Sequence, residues 1–407
     1  MEKYTIDDLV SNHQCSCLSD MLHVCKRYKN VKRDYLFVNE FQGKHVPVAP
    51  LKVYASVWEL YSKAYKELKG KQKILFIGFA ETATAIGELM FYYATCSDSK
   101  LNAVAYVHTT REHLDCQELI NFQEEHSHAT EQRLFIKDAD IDFDTVVFVE
   151  DEISTGNTIL NAIKKFENKK HIKNYYVLSF ANWQSKEDKG VFSEFEKERN
   201  LNVKFIALHT GELKNRYAML DMPETNIHAS VGSSLNSMVE IDYYDCYDAR
   251  SGITSEELKE NYQTCSKIAE EVLNFVESGD KVEVIGTEEF MGFPLRVAKE
   301  IEESGVECKF HATTRSPIQS SEESIIKDWS KPPSAYESDR VTYLYNMTNR
   351  DYNKIVVVTD GELREDFKKA FEKFGVSVIF IKVHAMNTEL QTIIKSEVKE
   401  NTKYGFR

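Results

Sequence analysis

The chain has 407 residues and a net charge of −14, with 42% hydrophobic and 29% charged residues. That length suits two or three domains with room for a large core, and the acidic balance argues against a general nucleic-acid binder. No apolar run approaches the roughly 20 residues of a membrane span, the N-terminus has no signal-peptide pattern, and the eight scattered cysteines read as free thiols of a cytoplasmic protein.

Residues 1–30 hold His13, Cys15, Cys17, His23 and Cys25. This set has metal-ligand chemistry, but Cys-x-Cys lacks the usual knuckle spacing and no second Cys/His pair follows nearby. Leu18, Met21, Leu22 and Cys25 recur at helical spacing, so an N-terminal helical arm is expected. From residue 31, Tyr35–Asn39 reads as a short strand, and Gly43 to Pro50 is broken by Gly and Pro. Such short, punctuated strands suit an irregular cap over a site, with Lys44 and His45 as candidates to face a ligand. A helix over 53–69 leads to Lys73–Ile77, the first sheet strand. The turn Gly78, Phe79, Ala80, Glu81, Thr82 then opens a helix near Ala83, and a helix start after a Gly turn is a candidate anion site. The next strand, Ala103–Val107, ends in His108-Thr109-Thr110-Arg111, whose guanidinium offers a two-pronged donor to a diphosphate. Glu112 to Arg133 is a long polar connection, uncommon unless it is functional and otherwise a solvated excursion, before a returning strand at Leu134–Ile136.

The strongest signal is Val146 to Thr158. Four apolar residues read as a buried parallel strand, with Glu150 and Asp151 at its carboxyl end. The hydroxyl-rich turn Ser154, Thr155, Gly156, Asn157, Thr158 leads into a helix from about Ile159. Ligands of open α/β sheets bind at this end of the strands. The unpaired N–H groups of a helix start suit a phosphate, and Gly156 permits close approach. The two carboxylates suit sugar hydroxyls or Mg²⁺. Strands at Tyr175–Phe180 and Val203–Ala207, with a helix over 190–200 between them, end a first domain near Leu213. Residues 214–250 lose periodicity and read as linker and lead-in. A second α/β domain over 251–407 follows, with a helix over 256–276 and strands at Val282–Gly286 and Cys308–His311.

The Val146–Thr158 stretch resembles the ribose-phosphate signature of the type I phosphoribosyltransferases. Ala312-Thr313-Thr314-Arg315-Ser316-Pro317 resembles the Thr-Arg-Ser-Pro motif of the TRSP domain, which accompanies such transferases in bacterial tellurite-resistance and stress gene clusters. The resemblance covers nearly all of the chain after residue 30. It implies a parallel sheet with a hood over 31–213, followed by a Rossmann-like TRSP domain. It implies a Mg²⁺-dependent glycosyltransferase that uses phosphoribosyl pyrophosphate and a base-like acceptor to make a nucleotide-like metabolite. Glu150 and Asp151 would hold the ribose hydroxyls and, directly or indirectly, Mg²⁺. Ser154 to Thr158 would hold the 5-phosphate, and Gly78 to Glu81 with Arg111 the pyrophosphate. A non-catalytic nucleotide or phosphoribosyl pyrophosphate sensor on the same fold is the alternative, and a homodimer is among the assemblies expected. Two departures stand out: Glu152 replaces an apolar residue, and Ser154 replaces the Asp that meets the base in purine-salvage members.

The second domain reads as a divergent copy of the first. Ile77-Gly78, Thr109-Thr110-Arg111 and Val149-Glu150-Asp151 recur 204 to 210 residues later as Ile285-Gly286, Thr313-Thr314-Arg315 and Thr359-Asp360-Gly361. The copy has no Thr-Gly-x-Thr; Leu363-Arg364-Glu365-Asp366 stands there instead. Gly286, Glu288, Glu289, Thr314, Arg315 and Asp360 therefore form a candidate site for a different ligand or an interdomain surface.

Overall fold

The computed structural model describes residues 4–15, 21–28, 33–96, 101–123, 131–138, 141–215, 220, 227–228, 237–348 and 351–385. The chain opens with a single turn, α1 (Ile6–Leu9), and a strand, β1 (Val10–Gln14), followed by an antiparallel pair, β2 (Leu22–Lys26) and β3 (Tyr35–Asn39). Strands thus replace the expected helical arm. Leu22 and Cys25 are buried, but the partner that buries them is β3, with its buried Tyr35, Phe37 and Val38. A strand partner overrides a short helical spacing. Leu18 lies outside the described residues.

The first domain continues with α2 (Pro50–Leu68), β4 (Ile74–Gly78), α3 (Thr84–Cys96) and β5 (Ala103–His108). A two-stranded ribbon of β6 (Glu118–Gln123) and β7 (Glu131–Phe135) interrupts the sheet. Then come β8 (Thr145–Ile153), α4 (Asn157–Glu167), β9 (Asn174–Asn182), α5 (Lys186–Arg199) and β10 (Asn202–Leu213). The sheet order is β1-β10-β9-β8-β4-β5, parallel except for β1. The central strands β4 and β9 are buried almost throughout, as strands covered by helices on both faces must be. On α2, Val53, Val57, Leu60, Ala64 and Leu68 form the buried stripe, and Pro50 at its start needs no N–H partner.

The second domain comprises β11 (Met238–Cys246), α6 (Ser255–Leu273), β12 (Lys281–Gly286), α7 (Gly292–Glu303), β13 (Glu307–Ala312), the two-residue strands β14 (Trp329–Ser330) and β15 (Leu344–Tyr345), β16 (Lys354–Thr359), α8 (Glu365–Glu372) and β17 (Ser377–Ala385). Its sheet runs β11-β17-β16-β12-β13, all parallel. The strands ending at Gly286, Ala312 and Thr359 share one sheet, as a duplicated domain requires. β11 lies in the stretch read as linker. It is an edge strand whose Glu240 and Asp242 alternate with Val239, Ile241 and Tyr243, so it shows no apolar run.

The domains meet across a pseudo-twofold axis. Val48 and Phe310 exchange backbone hydrogen bonds of 3.0 and 2.8 Å, and Tyr106 and Ile253 exchange bonds of 2.9 and 2.8 Å. Phe310 holds in β13 the place that Tyr106 holds in β5. The same contact is therefore made twice with roles exchanged, as in an isologous dimer interface. Near the axis α3 packs on α7, while α2 reaches α7 and α3 reaches α6. The fit is close: a Cβ on Gly292 would collide with the Glu88 carboxylate. One hydrophobic core runs through both halves, from Phe76 and Val147 to Val284 and Ala298.

Candidate active site

β8 runs on through Ile153, so Glu150, Asp151 and Glu152 lie within the strand rather than beyond it; β9 pairs with it as far as Asn182. All three carboxylates are half-buried at the rim of a cavity of about 780 Å³. Asp151 accepts hydrogen bonds from Thr82 Oγ1 (2.9 Å) and Gln42 Nε2 (3.2 Å). Glu152, out of pattern in the sequence, pairs with Arg33 of the hood at 2.6 Å. Burial pushes the Glu152 carboxyl up, against the pull of that guanidinium.

Past the strand, the chain turns at Gly156 in the left-handed region (φ 86°), and α4 begins at Asn157 with no side-chain cap. A Cβ at Gly156 would lie 2.7 Å from Gln184 Nε2 and 2.9 Å from the Phe192 ring. Gln184 fixes the turn from behind, donating to the Thr155 carbonyl at 3.0 Å. Ser154, Thr155, Gly156 and Thr158 line the cavity, which places the start of α4 and its dipole against it. Asn157 is not among the lining residues; its N–H donates to Thr155 Oγ1 at 3.1 Å.

The loop after β4 forms a second wall. Phe79, Ala80, Glu81 and Thr82 line the cavity and Gly78 lies behind them. A Cβ on Gly78 would come within 2.8 Å of Tyr106 Oη. The Ala80–Glu81 peptide bond is cis, and the Ala80 N–H donates to Thr109 Oγ1 at 2.8 Å. Glu81 meets Lys44 Nζ at 2.9 Å and Arg111 at 3.7 Å, and accepts from the Arg315 N–H at 3.1 Å. Burial alone would raise its pKa; the three cations outweigh burial and hold the carboxyl down to about 2. Arg111 lines the cavity as its strand-end position suggests.

Two expected hood residues face elsewhere. Lys44 is fully buried in the domain seam, where its ammonium also donates to the carbonyls of Glu288 and Thr313. His45 is buried against Tyr345, and burial holds its pKa down to about 4. Arg27 and Arg33 of the β2–β3 connection and Leu36 of β3 border the cavity instead. Glu152 was the available signal for Arg33, since a buried carboxylate next to an apolar strand calls for a cation.

The far wall comes from the second domain. Arg315 and Arg340 line the cavity and share Glu112, each at 2.6 Å, and Glu288, at 2.6 and 3.3 Å. Burial opposes ionisation of Glu112, but Arg340 and Arg315 hold its pKa below the usual carboxylate range. Sequence reasoning placed Arg315 in a second-domain site and missed Arg340; an isolated Arg in a loop carries no pattern.

The other second-domain candidates are taken up by protein partners. Glu288 also accepts from Ser334 Oγ, Glu289 accepts from Thr110 Oγ1 across the seam, and Asp360 accepts from Tyr336 Oη at 2.6 Å and pairs with Arg250. Burial pushes Glu289 up to about 7, since Arg250, 3.7 Å away, is shared with Asp248 and Asp360. Thr314 is buried and bonds through its backbone to Tyr343. Where the first domain opens beside Asp151, the second is filled by residues 334–336: Ala335 packs within 2.7 Å of a Cβ position on Gly361 and accepts from the Glu362 N–H at 2.8 Å. Gly286 is closed by the Phe290 carbonyl, 2.7 Å from its Cβ position.

Among the described residues Cys15, Cys25, Cys116, Cys246, Cys265 and Cys308 are free thiols, and no described helix is long and apolar enough to cross a membrane. No curated protein matches the chain. Solved structures that resemble part of it include three adenine phosphoribosyltransferases. That of Trypanosoma brucei, in complex with AMP, pyrophosphate and ribose-5-phosphate, is 16% identical over 46% of this chain and 76% of its own, with a TM-score of 0.32. That of Rhodothermus marinus is 14% identical over 47% and 95%, at 0.30. That of Saccharomyces cerevisiae is 14% identical over 47% and 96%, at 0.27. Residues 21–212 match a phosphoribosyl transferase family profile, and residues 247–373 match the TRSP domain described as C-terminal to that transferase. With both domains matched in that order, the chain belongs to the family of pentosyltransferases in which a phosphoribosyltransferase domain is followed by a TRSP domain.

Proposed function

We propose that the chain transfers the phosphoribosyl group of phosphoribosyl pyrophosphate to a base-like acceptor, in a cavity built by the first domain and completed by the second. The observation that carries this reading is the convergence on one cavity of Glu150 and Asp151, the Gly156 turn at the start of α4, and the loop after β4 with Arg111. The N–H groups of Gly156 and Thr158 and the α4 dipole receive the 5-phosphate. Glu150 and Asp151 accept from the ribose hydroxyls, with Thr82 and Gln42 holding Asp151 in place. Arg111 and the backbone of the Ala80–Glu81 turn face the pyrophosphate, and Arg315 and Arg340 close that side from the second domain. Displacement at C1 passes through an oxocarbenium-like state, so the chain's tasks are alignment, donors for the leaving group and exclusion of water.

The donor set at the rim fits Mg²⁺. Two oxygen ligands of the hard type stand beside a phosphate site, and Mg²⁺ is commonly held by one or two carboxylates plus substrate phosphates and water. When bound, the ion supplies positive charge opposite the developing pyrophosphate. The acceptor side is bordered by Arg27 and the Arg33–Glu152 pair, so an acceptor with hydrogen-bonding edges fits there.

Incubation with phosphoribosyl pyrophosphate, Mg²⁺ and a small-molecule extract tests this, with mass spectrometry for the ribosylated product. Pyrophosphate release with a new nucleotide-like mass supports transfer. Tight binding with no turnover against any extract would instead favour a sensor.

A further inference from the structure

The N-terminal histidine and cysteine that play no part in the transferase site meet a histidine of the far sheet edge. β1 pairs antiparallel with β10, with Val10 opposite Leu213 and Gln14 opposite Thr210, and the register slips between Ser11 and Gln14. Asn12 takes a left-handed conformation there (φ 53°). Such a bulge re-aims the side chains that follow it. As a result His13, Cys15 and His209 offer ligand atoms that all lie within 4.8 Å of one another.

The three donors differ in setting. His209 is fully buried, His13 half-buried and Cys15 exposed. The rings of His13 and His209 are nearly parallel, with centroids 5.8 Å apart, and Trp183 backs His13 at 5.8 Å. Nε2 of His13 is buried and, among the described residues, has no hydrogen-bond partner. Its Nδ1 looks toward Asp7 Oδ1 at 3.8 Å. A carboxylate on the far side of an imidazole is the usual outer-shell partner of a metal-binding histidine, leaving the other nitrogen for the ion. Of the rest of the sequence cluster, His23 and Cys25 are engaged elsewhere, with Glu40 at 2.9 Å and Ser324 at 3.7 Å, and Cys17 lies outside the described residues.

We propose that His13, Cys15 and His209 bind one divalent cation of the zinc class. Two imidazoles and a thiolate suit a borderline-soft ion that takes four ligands, and the set contains no carboxylate, so it discriminates against Mg²⁺ and Ca²⁺. The exposed side at Cys15 leaves the fourth position to water. The ion ties the edge strand β1 to β10 on the rim of the first sheet, and its binding releases the thiol proton. This site is separate from the transferase cavity and does not rest on it.

The test uses tag-free, chelator-treated full chain titrated with Co²⁺, followed by Zn²⁺. The expected result is one equivalent of Co²⁺ with intense four-coordinate visible absorption and a near-ultraviolet thiolate charge-transfer band, both displaced by Zn²⁺. Cys15→Ser should abolish the charge-transfer band. Asp7→Asn should weaken Co²⁺ binding by about tenfold, and His13→Gln by more. Cys116→Ser should leave the spectrum unchanged. Circular dichroism of each variant checks its fold, which matters little for exposed Cys15. Absence of the band in the parent, or its survival in Cys15→Ser, would overturn the proposal.

Discussion

Asp151 carries the most direct residue-scale prediction. Its carboxylate packs no core and accepts from Thr82 and Gln42 at the cavity rim. Asp151→Asn should keep the fold and weaken phosphoribosyl pyrophosphate binding by about 1.5–3 kcal/mol, the usual worth of a charge-assisted hydrogen bond; calorimetry showing unchanged affinity would contradict the assignment. Gly156→Ala forces a Cβ into the left-handed turn and against Gln184 and Phe192. A stability loss of at least about 1–2 kcal/mol in urea is expected. Glu289 offers a pH test. Its folded pKa is raised to about 7 from 4.5, chiefly by burial. The neutral form is favoured in the fold, so its contribution is complete below pH 4.5 and is lost as pH rises through 7. Glu289→Gln should therefore gain on the parent between pH 5 and 7.5, by an amount on the order of 3 kcal/mol at most; a constant difference across that range would count against it. At this scale the Glu150-Asp151 pair and the Gly156 turn were legible, because strand, acids and glycine occur consecutively. Arg27 and Arg340 were not, because their places on the cavity arise only from contacts remote in sequence, and Arg33 was signalled only by the odd carboxylate Glu152.

At the scale of elements, the polar connection from Glu112 to Arg133 holds the β6–β7 ribbon. Its base is fixed: Thr110 and Arg133 exchange backbone bonds of 2.8 and 2.9 Å, and Gln132 Nε2 donates to the Ala80 carbonyl at 2.9 Å. The stretch from 124 to 130 lies outside the described residues. Hydrogen exchange should show Glu131–Phe135 protected with or without ligand, and Glu118–Gln123 gaining protection when phosphoribosyl pyrophosphate is added, since a water-sensitive cation requires closure. Strong, equal protection of both strands in both states would make the ribbon a fixed wall. The buried parallel strands and their helices were readable from apolar runs and 3.6-residue stripes. The edge elements were not: β1 and β11 are short of apolar pattern, and the helical spacing around Met21 gave way to pairing with β3. Edge strands bury one face at most, so their composition says little.

For the whole molecule, the repeated Ile-Gly and Thr-Thr-Arg spacings forecast two similar sheets, and the pseudo-twofold contacts follow that symmetry. What spacing could not show is how the halves divide the work. The second copy fills its own site with Ala335 and Tyr336 and turns Arg315 toward the first. Arg340 is the better probe, because Arg315 remains to hold Glu112 and Glu288. Arg340→Ala should weaken phosphoribosyl pyrophosphate by roughly 1.5–3 kcal/mol with the fold retained; unchanged affinity would remove Arg340 from the site. The most direct test is a calorimetric titration of the full chain with phosphoribosyl pyrophosphate in Mg²⁺, repeated with Asp151→Asn and Asp360→Asn. One site per chain, lost in the first variant and kept in the second, is the predicted result; two equivalent sites, or a site that survives Asp151→Asn and disappears with Asp360→Asn, would contradict it.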